Sequence, residues 1–313
     1  MAKRKAHHKI AHGILLIDKP QGHSSFDVIR DLRRSTKVKK MGHTGTLDPM
    51  ATGLLVLCFG EGTKLVPYLT ADDKGYEAEV TFGIATDSYD ADGQVLARNE
   101  PEELYSLTEE QVRSALNLFL GTQDQQPPAF SAIKVNGERL YEKARRGEDV
   151  QVPTRTVNFY ELVLSSFKAA QSTVYPKAKF WVKCSKGTYI RSLAADLGKS
   201  LGIHAHLSSL RRTLAGQFKI ENAHQISDIT EENIKEKLTS LIHALPHTPL
   251  VELNEQAVQA VRQGKTIPCP NEVHTTEQPG LYRAQSSSGN LIALMTYEQG
   301  RLKVLRGFNL PEE

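Results

Sequence analysis

Two segments of this chain alternate apolar and polar residues with the two-residue period of a half-buried β-strand. They cover residues 76–84 and 178–184, and the apolar side of the second consists of Ala178, Phe180, Val182 and Cys184. Strand-like segments occur in clusters and do not alternate strictly with helices, which argues against repeated parallel strand–helix–strand units. We therefore predict an α+β fold with a mixed, largely antiparallel central sheet flanked by helices.

Helices are predicted where a capping box precedes apolar residues at helical spacing. The boxes pair Ser24 with Asp27 and Thr108 with Gln111. Helical spacing of apolar residues also predicts a helix that begins near Ile190 and stops at Gly202, and another that fills residues 230–243.

The C-terminal part of the chain is predicted to form a separate, β-rich unit. Two prolines lie close together in the segment 245–249, and such spacing is typical of a linker. After it come short strand-like runs over residues 291–294 and 302–305. We therefore expect two domains, a larger one over residues 1–245 and a small one over residues 250–313.

Basic residues are concentrated in two blocks, although the chain as a whole carries little net charge. The formal net charge is only +3, which by itself indicates no nucleic-acid partner. Residues 30–40 carry six basic side chains against one acid, and residues 177–191 carry five with no acid. Such blocks can contact phosphates, and they can equally be solvated charged faces.

The sequence indicates a cytoplasmic protein with no membrane segment. Its three cysteines, Cys58, Cys184 and Cys269, cannot all pair and their spacing fits no metal motif. The apolar run Ile14–Ile17 behind the basic N-terminus is too short for a signal peptide or a membrane span.

The most informative segment is the glycine-rich stretch 42–53, which is predicted to be a loop that a bulky ligand can approach closely. It holds one histidine, several hydroxyls and a single carboxylate, Asp48, directly before Pro49. An aspartate before a proline is by itself most often a turn former. From this local pattern alone, Asp48 could be either a turn residue or a catalytic carboxylate.

As a whole, the stretch 42–53 resembles the signature loop of the TruB family of transfer-RNA pseudouridine synthases. Further segments resemble the family in the same order along the chain, over roughly residues 13–215. They are Asp18-Lys19-Pro20, Lys74-Gly75-Tyr76, residues 86–93, Pro127 to Lys134 with Tyr141, Ala144 and Arg145, residues 186–191, and Leu210-Arg211-Arg212. The C-terminal part is similar in length and pattern to the PUA domain that often ends these enzymes.

This resemblance implies an isomerase that converts uridine 55 in the T-arm of transfer RNA to pseudouridine, with Asp48 as its catalytic carboxylate. The reaction involves no oxidation and consumes no phosphate, so no cofactor is expected; no dinucleotide fingerprint or Walker loop occurs. The target base is stacked in a folded arm and has to be flipped out to be reached. RNA is the expected partner, and no protein partner is implied.

Two further catalytic residues are expected, Tyr76 from the resemblance and Arg191 as a hypothesis about the charge of Asp48. Tyr76 is expected to stack on the flipped base and to move a proton, although it could simply begin the apolar side of its strand. Arg191 is expected to form a bidentate pair with Asp48 that keeps the carboxylate ionised. Alternatively, Arg191 contacts a phosphate or forms a surface ion pair.

The remaining residues carried over from the resemblance bind substrate. His43 is expected to contact the extruded nucleotide or fill its gap, or else to cap the glycine-rich loop. Expected around the uracil are Tyr189 and Leu210 as walls and Asp90 as a polar partner. Lys19 and Lys134 are expected to contact phosphates.

Rival functions were weighed against this one. An aspartyl-phosphate enzyme of haloacid-dehalogenase type would need a magnesium-binding acid two residues after Asp48, where Met50 stands. A non-catalytic RNA-binding module or RNA chaperone would use the same basic faces. Histidine pairs at 7–8 and 204–206 lack a third ligand at suitable spacing, so no metal site is predicted.

Overall fold

The computed structural model describes residues 11–131, 134–135, 138–139, 146, 148, 152–270 and 280–311. The strands are β1 (Gly13–Lys19), β2 (Met41–His43), β3 (Thr52–Phe59), β4 (Lys74–Phe82), β5 (Ile84–Thr86), β6 (Val95–Arg98), β7 (Gly121–Gln125), β8 (Lys134–Val135), β9 (Glu138–Arg139), β10 (Arg155–Lys168), β11 (Lys177–Cys184), β12 (Ala205–Ala215), β13 (Phe218–Lys219), β14 (Leu250–Leu253), β15 (Ile267–Pro268), β16 (Leu281–Ser286), β17 (Leu291–Glu298) and β18 (Arg301–Gly307). The α-helices are α1 (Ser25–Thr36), α2 (Val66–Thr70), α3 (Glu109–Asn117), α4 (Ile190–Ser200), α5 (Ile234–Lys237) and α6 (Glu255–Arg262).

Within the described residues, the larger sheet has nine strands. Its main order is β1-β3-β12-β4-β11-β10-β7, with β2 beside β3 and β13 beside β12. Every pairing in it is antiparallel except that of β3 with β12. The predicted mixed, largely antiparallel sheet is confirmed.

The two alternating segments form the centre of this sheet as β4 and β11, which pair with each other. Their apolar residues from Ala78 and Ala178 onward are buried in the main core, and helix α4 packs on β12 and β4 of the same sheet. The first segment ends earlier than predicted, since Gly83 takes a φ of +91° and Ile84 begins the separate strand β5. A positive φ is readily adopted only by glycine, and here it turns the chain out of the sheet.

Both capping boxes are present, with Ser24 and Thr108 as N-caps of α1 and α3, and α4 ends before Gly202 as expected. The predicted helix over 230–243 is wrong. Only the single turn α5 and a 3₁₀ turn at Leu241–His243 are helical there. Between them Thr239 is extended, because it exchanges backbone hydrogen bonds of 2.9 and 2.8 Å with Ile14 of edge strand β1.

The predicted C-terminal strands are confirmed within β17 and β18, in a five-stranded sheet ordered β14-β16-β17-β18-β15. Leu291, Leu294 and Phe308 from this unit share a buried cluster with residues of β1 and β3. The segment 245–249, which was expected to be a linker, is hydrogen-bonded to the C-terminal sheet. The Arg283 guanidinium on β16 donates to the carbonyls of Pro246 and Thr248. The division into residues 1–245 and 250–313 stays a prediction.

Among the described residues, no helix combines the length and hydropathy needed to cross a bilayer.

The parallel contact between β3 and β12 depends on Gly53. Its φ is +96°, and an added Cβ would lie 2.3 Å from the Arg212 carbonyl oxygen. We expect Gly53→Ala to lower the free energy of unfolding by at least about 2 kcal/mol more than Gly202→Ala. Gly202 is the matched control because its φ is +72° with nothing within 4 Å of the added carbon. Urea titration measures the free energy of unfolding of both variants. Equal losses of stability would show that the short distance between residue 53 and the Arg212 carbonyl does not exclude a side chain.

Candidate active site

The glycine-rich stretch is a short turn between two strands and not one long loop. β2 ends at His43 and β3 begins at Thr52, so that residues 44–51 carry Asp48 beside the start of β3. The first turn of α1 holds this turn in place, because the Ser25 hydroxyl accepts from the Leu47 amide at 2.8 Å. The carboxylate is therefore presented by a clamped turn on the sheet.

Lys19 also stabilises the turn that carries Asp48. It is fully buried, and its ammonium donates to the carbonyls of His23 at 2.6 Å, Pro20 at 3.0 Å and Pro49 at 3.4 Å. Burial lowers the pKa of Lys19 to about 8, although the nearby Asp48 carboxylate opposes this shift. The expected phosphate contact does not fit this position, since an enclosed ammonium that bonds three carbonyls cannot reach an RNA backbone.

Five residues that the sequence analysis assigned to the site line one cavity of about 260 Å³. They are Asp48, Tyr76, Tyr189, Arg191 and Leu210. They come from the turn after β2, from β4, from the start of α4 and from β12. The fold thus brings together segments that are far apart in the sequence around a single carboxylate.

Arg191 pairs with Asp48, but not in the bidentate geometry expected. Its Nε lies 3.0 Å from Asp48 Oδ2 without hydrogen-bond alignment. Its two terminal nitrogens donate instead to the carbonyls of Ser88 at 3.1 Å and Phe130 at 2.9 Å. Arg191 is 6% exposed and Asp48 37% exposed, so the guanidinium is fixed by the backbone and the carboxylate faces the cavity.

Asp90 lies behind Arg191 and is not among the residues that line the cavity. One of its oxygens accepts from the Ser88 hydroxyl at 2.5 Å, and the other is 3.6 Å from Arg191 Nη1. The expected contact between Asp90 and the uracil is therefore replaced by a contact with Arg191. The Asp90 charge acts on Asp48 through space.

The pKa of Asp48 is raised, and the largest cause is burial in the site. The Arg191 and Lys19 cations lower this pKa, whereas the Asp90 carboxylate raises it further. The Arg191 guanidinium thus favours the ionised form of Asp48, and it opposes the effect of burial on the pKa without cancelling it.

The two tyrosines form walls of the cavity. Burial raises the pKa of the Tyr76 phenol, and the neighbouring Arg212 guanidinium opposes that shift. The backbone of Tyr189 is held by Gln125, whose side chain accepts from its amide at 2.8 Å and donates to its carbonyl at 3.0 Å. The Arg155 guanidinium lies 5.6 Å from the centre of the Tyr189 ring. The raised pKa keeps the Tyr76 phenol in its neutral form at neutral pH, and Tyr76 lines the cavity.

Comparison with known proteins assigns this arrangement to a family. Residues 33–190 match the model "TruB family pseudouridylate synthase (N terminal domain)", and residues 191–247 match the model "tRNA pseudouridylate synthase B C-terminal domain". The tRNA pseudouridine synthase B of Shouchella clausii is 40% identical, over 90% of this chain and 92% of its own. That of Ralstonia nicotianae is 41% identical, over 93% of this chain and 92% of its own. The chain belongs to the TruB family of pseudouridylate synthases.

Solved structures share the fold of this TruB-family chain. A chain of a Cbf5-Nop10-Gar1 complex matches with a TM-score of 0.73 and 25% identity, covering 98% of this chain and 88% of that one. A chain of an H/ACA RNP bound to a substrate RNA containing 2'-deoxyuridine matches with a TM-score of 0.72 and 23% identity, with the same coverage. Because 98% of the chain is covered, the match includes the C-terminal sheet, which fits the expected PUA-like unit.

Besides Lys19 and Asp90, the predicted residue His43 of the TruB-family site does not line the cavity, and the side chain of Lys134 lies outside the described structure. His43 ends β2, is not a lining residue, and has a buried Nδ1 without a partner in the described part of the chain. Burial lowers the pKa of its imidazole. The side chain of Lys134, on β8, lies outside the described residues. Their contacts with nucleotide and phosphate stay predictions.

The basic block 177–191 is partly balanced inside the sheet. Lys177 and Lys179 lie 2.9 and 3.6 Å from the carboxylate of Glu79 on β4. The block is thus less of a free phosphate-binding face than its sequence indicates.

Sequence reasoning missed Lys74 and Arg212 as site residues, although both fall in segments that resemble the TruB family. Each lines the cavity and is buried, at 7% and 2% exposure. The two-residue period was the signal: Lys74 precedes Tyr76 by two on β4, and Arg212 follows Leu210 by two on β12. Such residues share one side of a strand.

The described residues contain no group of three or more His, Cys, Asp or Glu side chains that could hold a metal ion. His206 points into the protein, with Nδ1 3.0 Å from the Ile84 carbonyl oxygen, and the pair at 7–8 lies outside the described residues. Met50, where an aspartyl-phosphate enzyme needs its magnesium-binding acid, is buried at 5% exposure.

Proposed function

We propose that this protein isomerises uridine 55 in the T-arm of transfer RNA to pseudouridine, without a cofactor, with Asp48 as the catalytic carboxylate. The observation that carries the proposal is the position of Asp48 in the cavity, 3.0 Å from the Arg191 guanidinium and beside the Tyr76 ring. The names of its relatives, tRNA pseudouridine synthase B, support transfer RNA as the substrate.

The size of the site supports base flipping as part of this proposal. A cavity of about 260 Å³ has room for one base and not for a duplex or a folded loop. The target uridine therefore leaves its stack and enters alone. Tyr76 is the aromatic surface for it, and stacking of a base on an aromatic ring contributes about 1–3 kcal/mol. Leu210 and Tyr189 enclose the remaining edges.

The isomerisation breaks the bond from uracil nitrogen to the ribose and forms a bond from uracil carbon to the same ribose carbon. A carboxylate can attack the sugar, as in a retaining glycosidase, or add to the pyrimidine ring. Both routes use an ionised Asp48 as nucleophile. Arg191 positions that carboxylate, because its own guanidinium is fixed by two backbone carbonyls.

The raised pKa of Asp48 predicts an acid limb in the pH profile. A carboxyl whose pKa is raised in the folded protein loses its charge as the pH falls through that raised value, above the ordinary 3.8. We expect the single-turnover rate to fall with decreasing pH around a midpoint above 3.8, measured on a T-arm hairpin at saturating protein. A rate that stays constant down to pH 3.8 would refute the assignment of Asp48 as the ionised nucleophile.

Tyr76→Phe separates stacking from proton transfer, because phenylalanine keeps the ring and loses the hydroxyl. We expect RNA affinity to change by less than about threefold, since stacking is retained. The turnover number should fall by about 10²-fold or more if the hydroxyl moves a proton. Binding and turnover are measured on the same hairpin, and wild-type turnover would confine Tyr76 to stacking.

The proposal is tested by incubating the pure protein, without metal or nucleotide, with an unmodified transfer-RNA transcript and mapping pseudouridine at each nucleotide. We expect modification at position 55 and none in a matched transcript with cytidine there. Binding without any pseudouridine would favour the rival function, a non-catalytic RNA-binding module. Modification at another position would refute the T-arm assignment.

A further inference from the structure

Two buried cations in the cavity have no role in the chemistry described so far. Lys74 and Arg212 line the cavity at 7% and 2% exposure. Within the described part of the chain, neither lies within ion-pair distance of a carboxylate. Burying a charge costs free energy, so two such cations in one small cavity require an explanation.

Their hydrogen bonds satisfy the donors and leave the charges in place. Arg212 Nε donates to the Leu54 carbonyl at 2.6 Å, and its Nη2 donates to the Gly45 carbonyl at 3.1 Å. The Lys74 ammonium donates to the Thr70 carbonyl at 2.8 Å and to that of Asp72. A neutral carbonyl accepts a hydrogen bond from the cation without neutralising the positive charge of that cation. This part of the cavity wall is therefore positive.

The two cations flank Tyr76. Lys74 precedes it by two residues on β4, hence on the same side of the strand, and Arg212 is its cross-strand partner on β12. Any base that stacks on Tyr76 therefore lies next to both positive groups.

The proposed reaction places a negative charge on that base. If Asp48 attacks the sugar, an oxygen–carbon bond forms and the electron pair of the broken nitrogen–carbon bond stays on the uracil. If Asp48 adds to the pyrimidine ring, the displaced electron pair moves onto the ring and its carbonyl oxygens. In both routes the uracil is anionic until its carbon bonds to the ribose. The bond to Asp48 then breaks and frees the carboxylate, and the ring carbon gives up its proton while the former glycosidic nitrogen gains one.

We propose that Lys74 and Arg212 form a cationic wall that stabilises the negative charge on the uracil during its rearrangement. This inference rests on the proposed function. Fixed charges in a water-excluded site stabilise developing charge more strongly than water does, since no reorganisation is needed at the moment of reaction.

The protonation of Lys74 supports this wall at neutral pH. Burial, together with the nearby Arg212 guanidinium, lowers its pKa to about 8, although Asp72, Asp73 and Cys184 oppose this shift. A lysine with this pKa is charged at pH 7 and loses its charge as the pH rises through about 8. The single-turnover rate should decline over that range in the wild type and not in Lys74→Met.

The decisive experiment compares two T-arm hairpins, one with uridine and one with 5-fluorouridine at the target position. Fluorine withdraws electrons from the ring, so the fluorinated anion needs less stabilisation by the protein. We expect Arg212→Met to slow the single-turnover rearrangement of uridine by about 10²-fold and that of 5-fluorouridine by less than about tenfold. Both rates are followed as loss of the starting nucleoside by chromatography of the digest. The carbon of 5-fluorouracil that joins the ribose carries fluorine and has no proton to lose, so its product is not pseudouridine.

Arg211→Met is the matched control, because Arg211 lies on the same strand but pairs with Asp18 through contacts of 2.9 and 2.8 Å. Any slowing it causes should be equal for both hairpins. Lys74→Met provides a second test if Arg212→Met fails to fold, with the same unequal slowing expected. Equal slowing of both hairpins by the wall variants would overturn the wall alone. Failure of the wild type to convert uridine would overturn the proposed function and the wall with it.

Discussion

Asp48→Asn is expected to lower the turnover number by at least about 10³-fold, because the amide has no charge and is a poor nucleophile. Asparagine keeps the shape of the side chain, which lies at the cavity surface with 37% exposure. RNA affinity should stay within about threefold of the wild type, since affinity comes mainly from phosphate contacts that this change leaves alone. Single-turnover kinetics and filter binding on one hairpin measure the two effects.

The stability of the Asp48→Asn variant is the control for this experiment. The raised pKa of Asp48 means that the folded protein binds its proton more tightly than the unfolded chain does. The favourable contribution of the protonated form is complete below the unfolded pKa and disappears as the pH rises through the folded pKa. At neutral pH the charge therefore opposes folding, and Asp48→Asn should melt no lower than the wild type. A variant that retains activity within tenfold would remove Asp48 from the mechanism.

Arg191→Lys is expected to reduce the turnover number by about 10²-fold or more, since small displacements of a reacting group have effects of this size. Lysine has one ammonium in place of the planar guanidinium. It cannot donate to the Ser88 and Phe130 carbonyls while it also contacts Asp48. The carboxylate should therefore lose its fixed position while the Michaelis constant for RNA changes little.

Arg113→Lys is a suitable control for this change, because Arg113 lies on the surface of α3 and pairs only with Glu109 among the contacts described. It should leave both the rate and the melting temperature unaltered. Rates for Arg191→Lys are to be compared well below its own melting temperature, so that unfolding does not enter. A wild-type turnover number would show that Asp48 needs no guanidinium beside it.

Much of the fold could be predicted from the sequence because its signals are local. The alternation in β4 and β11 and the capping boxes of α1 and α3 depend on residues within a few positions of one another. The helix expected over 230–243 failed for the opposite reason. Its outcome was decided by Thr239 pairing with Ile14, more than two hundred residues away in the chain.

The same distinction applies to the site. Resemblance identified Asp48, Tyr76 and Arg191, and the structure places all three around one cavity. The actual partners of Arg191, the carbonyls of Ser88 and Phe130, depend on how distant loops meet. No spacing rule in a single sequence reveals such contacts.

Buried cations were the least predictable feature. Lysine and arginine are seldom buried, so a sequence that contains them in a basic segment favours a surface role. Lys19 and Arg212 are enclosed because backbone carbonyls satisfy their donors. Those carbonyls belong to turns whose positions only the folded chain determines. The two-residue period could have placed Lys74 on the same side of β4 as Tyr76, but the pairing of Arg212 with Tyr76 across two strands required the fold.

The most direct test of the account is a structure of the Asp48→Asn protein bound to an unmodified T-arm hairpin. The account predicts that uridine 55 is rotated out of its stack, lies on the Tyr76 ring and has its glycosidic bond next to residue 48. A hairpin that binds with this base still stacked, or with the base in contact with another part of the protein, would contradict it.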